Sequence, residues 1–149
     1  MGIASPFTRY ASRVLIWALQ KSPWVFHLST GSCNNCDIEI LDCLTPRYDV
    51  ERFGILLVGS IRHADVLLVT GSVNRKAAPK IRMLYDQAPK PCLVVACGTC
   101  ACGQHMFKDS YHTVEPLDAH VPVSVYIPGC PPKPEAFISG IVQALNTIG

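Results

Sequence analysis

Eight cysteines stand in this 149-residue chain, and four of them sit where thiols can do chemistry. Cys33 and Cys36 form a Cys-x-x-Cys pair inside Gly31-Ser-Cys-Asn-Asn-Cys-Asp-Ile-Glu39, a small polar loop after an apolar run. Thiols at that spacing, on a turn that opens into a helix, can face one metal centre, and the free N–H groups of a helix start favour thiolates. Alone, the pair fits a redox dithiol, half of a zinc site or half of an iron–sulfur site. Two later loops, Gly98-Thr-Cys-Ala101 and Pro128-Gly-Cys-Pro-Pro132, add the single cysteines Cys100 and Cys130.

Hydrophobic patterning gives the elements that must carry these loops. Trp24–Leu28 is a short apolar run, a candidate strand feeding the Cys33 loop. From Asp37 to Leu44, the residues Ile38, Leu41 and Leu44 recur at helical spacing, with Glu39 in the first turns and Pro46 as the stop. Gly54–Gly59 reads as a strand or a capping segment. Asp65–Thr70, Pro91–Ala96 and Val121–Ile127 read as strands, the last two ending at the Cys100 and Cys130 loops. Lys76–Gln87 and Pro134–Asn146 each present one apolar helical face. Continuous apolar runs without alternation suit strands covered on both faces, as in parallel sheets. The alternation of strand and helix predicts an α/β fold: a flavodoxin-like three-layer domain with a mostly parallel sheet of about four strands. In such a sheet, loops that follow strands emerge together at the C-terminal edge, where these folds bind ligands. Four thiols from three loops would therefore meet. Residues 4 to 20 carry Phe7, Tyr10, Val14, Leu15, Trp17 and Ala18 at helical spacing. Residues 1–22 are thus expected to be an N-terminal docking helix, and residues 23–149 a single α/β domain.

Composition narrows the class. The chain is 49% hydrophobic and only 16% charged, which suits either a compact domain with buried strands or a surface covered by partner subunits. A net charge of +2 with no Lys/Arg run gives no case for nucleic acid. No apolar stretch reaches the roughly 20 residues that span a bilayer. Cysteines at these spacings point to a reducing compartment and to metal or redox use, not to a disulfide scaffold. The first 28 residues lack acids and carry Arg9, Arg13 and Lys21, a faint likeness to an organellar transit peptide.

Four-cysteine zinc sites usually come as two Cys-x-x-Cys knuckles. Here Cys97-x-x-Cys100 is formally a second pair, but Cys97 closes a strand. A thioredoxin-like dithiol would leave Cys100 and Cys130 without a role. Four convergent thiolates fit a 4Fe–4S cluster, with a structural zinc site as the remaining alternative. Pro131 and Pro132 stiffen their loop, while Gly98 and Gly129 let the backbone approach closely.

Five stretches in series carry a resemblance: Gly31–Glu39, Arg47-Tyr-Asp-Val-Glu-Arg-Phe-Gly54, Arg62-His-Ala-Asp-Val66, Ala96-Cys-Gly-Thr-Cys-Ala101 and Ile127-Pro-Gly-Cys-Pro-Pro-Lys-Pro-Glu-Ala136. Over residues 24–146 the chain resembles the small subunit of energy-converting, membrane-bound nickel–iron hydrogenases. That family is similar to the cluster-bearing, quinone-proximal subunit of NADH:quinone oxidoreductase (complex I). The resemblance implies one 4Fe–4S cluster held by Cys33, Cys36, Cys100 and Cys130. It implies an electron-transfer subunit of an oxidoreductase, not catalytic alone, that passes electrons between a ferredoxin-like subunit's 4Fe–4S clusters and the nickel–iron centre of a large subunit. Integral membrane subunits would complete an ion-translocating complex, with this chain peripheral on the cytoplasmic face of the membrane. Complex I subunits typically have adjacent cysteines at the first position, so Cys-x-x-Cys favours the hydrogenase branch; the alternative is the complex I-type subunit. After Gly-Thr-Cys-Ala the family usually has a Gly-Gly pair, where this chain has Gln104 and His105.

The resemblance also makes Glu39 a candidate proton relay, weighed against an acid that interacts with the helix dipole. Arg47, Arg52, Arg62 and His63 are candidates for positive charge near the centre, and His63 for coupling protonation to reduction. Cys43, Cys92, Cys97 and Cys102 are spare; Cys102 is a possible replacement ligand beside Cys100. His27, His105, His112 and His120 show no ligand spacing.

Overall fold

The computed structural model describes residues 17–18 and 20–146. Five strands form one parallel sheet: β1 (Trp24–Gly31), β2 (Leu56–Leu57), β3 (Val66–Gly71), β4 (Leu93–Cys97) and β5 (Val125–Ile127), in the order β2-β1-β3-β4-β5. Among the described residues after β1, four helices accompany them: α1 (Asn35–Cys43), α2 (Ala78–Gln87), α3 (Thr99–Gly103) and α4 (Pro134–Asn146). The predicted three-layer α/β arrangement is what forms. Every residue of β3 and β4 is buried, because helices cover both faces of the sheet, and this is why their sequences do not alternate.

Two cores flank the sheet. On one face Val25, Val66, Leu68, Val95, Cys97 and Ile127 pack against Ile40 and Cys43 of α1 and Phe137, Ile141 and Leu145 of α4. On the other, Leu67, Val69, Val94 and Ala96 pack against Ile81 of α2 and Ala101 of α3. The α4 stripe recurs every three or four residues, as one buried helix face requires. Burying Phe137, Ile141 and Leu145 contributes roughly 1.5–3 kcal/mol each.

The sheet has five strands where about four were expected. The addition is β2, the doubtful run after Gly54, which pairs with β1 only at Trp24 and Val25. It is short because the chain turns at once into a 3-10 turn over Ile61–His63. β5 is shorter than its apolar run, since Pro122 has no N–H for a ladder. The helix α3, which carries Cys100, was not expected from the pattern. Of the expected docking helix, residues 1–16 and 19 lie outside the described residues; Trp17, Ala18, Gln20 and Lys21 are helical. Among the described residues no helix is long and apolar enough to cross a membrane.

Candidate metal centre

All three cysteine loops leave the same carboxyl-terminal edge. Cys33 follows β1, Cys100 sits in α3 just beyond β4, and Cys130 follows β5. On the first side, a bulge between Ser29 and Gly31 realigns β1 with β3. The Thr30 hydroxyl, buried there, reaches the carbonyls of Thr70 at 2.9 Å and of Gly71 and Ser72 at 3.2 Å. The Asn74 side-chain amide donates to the Thr30 carbonyl. The Cys33 loop is thus pinned to the end of β3. Asn34, in the left-handed region at φ 71°, turns the chain into α1, whose first turn holds Cys36. Cys33 is exposed and Cys36 half-buried.

On the second side Thr99 ties the other two loops together. Its N–H donates to the Gly129 carbonyl at 2.8 Å. Its hydroxyl donates to the same carbonyl at 2.9 Å and accepts from the Gly129 N–H at 3.2 Å. Cys100 and Cys130 are therefore held by neighbours of one hydrogen-bonded cross-link. The two sides meet at Gly98, whose φ is +85° and where a Cβ would stand 2.7 Å from the Cys36 sulfur. Only glycine leaves that thiol its place.

The thiols feel one another. Burial, then the charges of Cys33 and Cys100, with Asp37 and Cys130 after them, push the Cys36 thiol up to about 11. The Cys100 thiol is raised by burial and by Cys130 and Cys33. Four thiolates so placed repel one another and become stable together only around a cation. Among the described residues no three His, Cys, Asp or Glu side chains are gathered closely enough to hold a single metal ion. The donor set suits a polynuclear centre in which each metal takes one thiolate, as in a Cys-ligated 4Fe–4S cluster, better than one zinc at about 2.3 Å from all four sulfurs.

The other predicted residues fall into place less uniformly. Glu39 is half-buried on α1, one turn beyond Cys36, and its carboxylate has no hydrogen-bond or ion-pair partner among the described residues. Arg62 and His63 lie in the turn before β3, at the opposite edge of the sheet. The six residues of β3, at about 3.3 Å each, separate them from the thiols, so neither supplies charge at the centre. His63 instead meets the Trp24 ring edge-on at 6.4 Å. Arg47 stacks over Tyr48, and Arg52 belongs to a turn over Val50–Phe53.

The spare cysteines are buried or half-buried packing groups. Cys97 is fully buried in the first core, with its thiol pushed up by that burial. Cys43 lies there too, its S–H near the carbonyls of Glu39 and Pro134. Cys92 precedes β4 and packs on the second core. The Cys102 sulfur turns back to the Ala96 carbonyl at 3.6 Å, away from a ligand's position. At the departure from the family's glycine pair, Gln104 and His105 both adopt positive φ, 62° and 43°. Both take a conformation that glycine adopts freely, and the buried Gln104 amide is anchored on the Val114 carbonyl.

A second polar group at this edge was missed by sequence reasoning. His27 Nε2 lies 3.1 Å from Asp37 Oδ1 and 3.0 Å from Thr70 Oγ1. Thr70 donates to Asp37 Oδ1 at 2.7 Å, and Ser29 to Oδ2 at 3.4 Å. Its signal was present in β1: His27 and Ser29 follow Val25 at period two on the face that is otherwise apolar.

Comparison with known proteins matches residues 33–144 to the model of a family described as NADH ubiquinone oxidoreductase, 20 Kd subunit. A probable membrane-bound hydrogenase subunit, mbhJ, of Pyrococcus furiosus is 54% identical over 128 residues, covering 86% of this chain and 77% of the relative. A subunit of the NADH-quinone oxidoreductase of Amoebophilus asiaticus is 42% identical, covering 91% and 83%. Among solved structures, a chain of the membrane-bound sulfane sulfur reductase, an archaeal respiratory membrane complex, superposes with a TM-score of 0.79. It is 39% identical and covers 91% of this chain and 75% of its own.

Proposed function

Because this chain belongs to the family of the 20 kDa subunit of NADH ubiquinone oxidoreductase, and so is an electron-transfer subunit of an oxidoreductase, we propose that it carries one 4Fe–4S cluster on Cys33, Cys36, Cys100 and Cys130. Electrons would pass through that centre between the 4Fe–4S clusters of a ferredoxin-like subunit and the nickel–iron centre of a large subunit. The assembly would be a membrane-bound, ion-translocating hydrogenase, with this chain peripheral on the cytoplasmic face and residues 1–22 docking it to its neighbours. The observation that carries the reading is that the three loops bearing the four thiols leave one sheet edge, with the Cys36 and Cys100 thiols raised by burial and by their cysteine neighbours.

When bound, such a cluster supplies reversible one-electron transfer with no bond made or broken at a substrate. The chain's own residues do the rest. The four thiolates set the site's charge, Thr99 fixes the distance between the Cys100 and Cys130 loops, and Gly98 admits the Cys36 sulfur. Glu39, unpaired among the described residues and half-buried beside the site, is proposed to move protons at its carboxylate toward the large subunit. Glu39→Gln should slow turnover of the complex several-fold while leaving the cluster's spectrum unchanged; normal turnover rejects the relay.

The test of the centre is low-temperature electron paramagnetic resonance on anaerobically purified complex, oxidised and then dithionite-reduced, beside iron, sulfide, zinc and nickel assays. A reduced-state signal that disappears in Cys36→Ser or Cys130→Ser supports the assignment. Stoichiometric zinc without iron at these cysteines overturns it. The relative at 42% identity, a subunit of an NADH-quinone oxidoreductase, favours a second reading, a complex I-type quinone-proximal subunit. It predicts the same signal but a co-purified large subunit without nickel.

A further inference from the structure

The network around Asp37 is used by neither the ligand set nor the proposed relay. Asp37 directly follows Cys36, and its side chain is only 20% exposed, that of His27 22%. Its two oxygens are met from two strands: His27 and Ser29 of β1, and Thr70 at the end of β3. Meanwhile α1 has no side-chain cap of its own, for Asn34 makes no such bond. The link from Asp37 to the sheet is therefore the side-chain tether of the helix turn that holds Cys36. An acid in a first helix turn is favoured by the dipole alone. The dipole, however, does not require three polar side chains from two strands, and placing them on an otherwise apolar sheet face costs desolvation. A carboxylate oxygen with a 2.7 Å hydroxyl bond has the short geometry of a charge-assisted bond.

We propose that Asp37, clamped by Thr70, His27 and Ser29, is a positioning residue that fixes Cys36 and holds a negative charge against the centre, keeping its reduction potential low. The inference rests on the cluster reading given above. The physical chain is short. Added negative charge near an iron–sulfur centre disfavours the extra electron, and the clamp stops the carboxylate from swinging into water, where it would be screened.

The experiment is a redox titration of the intact complex, followed by the reduced-state paramagnetic signal. Asp37→Asn keeps the shape and the acceptor for Thr70 while removing the charge. It should move the midpoint potential to more positive values at unchanged signal intensity, and Asp37→Glu should restore it at least in part. An unmoved potential with a full signal overturns the proposal. Should Asp37→Asn fail to assemble, Thr70→Val carries the test through the rate of iron loss to a ferrous chelator. A several-fold faster loss than in Thr45→Val, which removes a hydroxyl bonded to the Asp42 carbonyl far from the site, supports the clamp. Equal rates overturn it. A complex of the unaltered chain with no cluster signal overturns the centre itself, and the clamp with it.

Discussion

Gly98 is the residue on which the site's geometry turns. Its φ of +85° with ψ of 152° lies in a region that costs other residues about 1–3 kcal/mol, and a Cβ would collide with the Cys36 sulfur. Gly98→Ala should therefore lower stability by about that amount in denaturant melts and, separately, abolish the reduced-state signal; a full signal would show that the thiols do not converge there. Cys43 gives a pH prediction. Burial, ahead of the charges of Asp42 and Glu39, pushes its thiol up to about 11 from an ordinary value near 9.0. Above pH 9 the unfolded chain loses this proton and the folded chain keeps it, so the unfolded state gains. Stability should fall as pH rises from about 9 to about 11, by up to about 1.4 kcal/mol per unit. Denaturant melts across that range should show a shallower fall in Cys43→Ala. The cysteines proposed as ligands could be picked out in the sequence because thiol spacing and flanking Gly and Pro are local signals. The clamp on Asp37 was not, because its partners at 27, 29 and 70 are joined only by the pairing of β1 with β3.

Among the elements, α4 and β5 show how packing places the third loop. Phe137 is 2% exposed in the core between α4 and the sheet, and Gly140 lies so close to Ile127 that a Cβ would overlap its side chain. The helix approaches the strand that delivers Cys130. Phe137→Ala should cost about 3–5 kcal/mol in chemical denaturation, and Gly140→Ala should loosen the Cys130 loop through Ile127, seen as faster iron loss. A silent Gly140→Ala would show that the loop is held by Thr99 alone. The strands and long helices were readable because periodicity reports burial. β2 could be read only as a strand or a cap, and α3 not at all: two paired residues and one helical turn are too short to carry a period, and both exist because neighbours hold them.

Taken whole, the described residues form a sheet with the four proposed ligand thiols on one edge and a partly apolar surface around them. Ile38 and Leu41, on the helix that carries Cys36, are 59% and 58% exposed. In the assembly proposed above they are expected to face the large subunit. Ile38→Glu should leave the chain's own stability within about 0.5 kcal/mol yet reduce co-purification of that subunit; undiminished co-purification would place the contact elsewhere. Residue order alone was enough for the alternation of strand and helix, the parallel sheet and the family, and for the proposal of the four thiols. Each is carried by residue type, short-range spacing or a run of motifs along the chain. Which charges stand near the centre emerged only on folding in three dimensions. That step put Arg62 and His63 at the far edge, turned Cys102 inward, and brought His27 and Thr70 onto Asp37. Electrostatic neighbourhood depends on distance through space, and in a parallel sheet residues far apart in the chain share an edge while residues near in the chain can lie a full strand away.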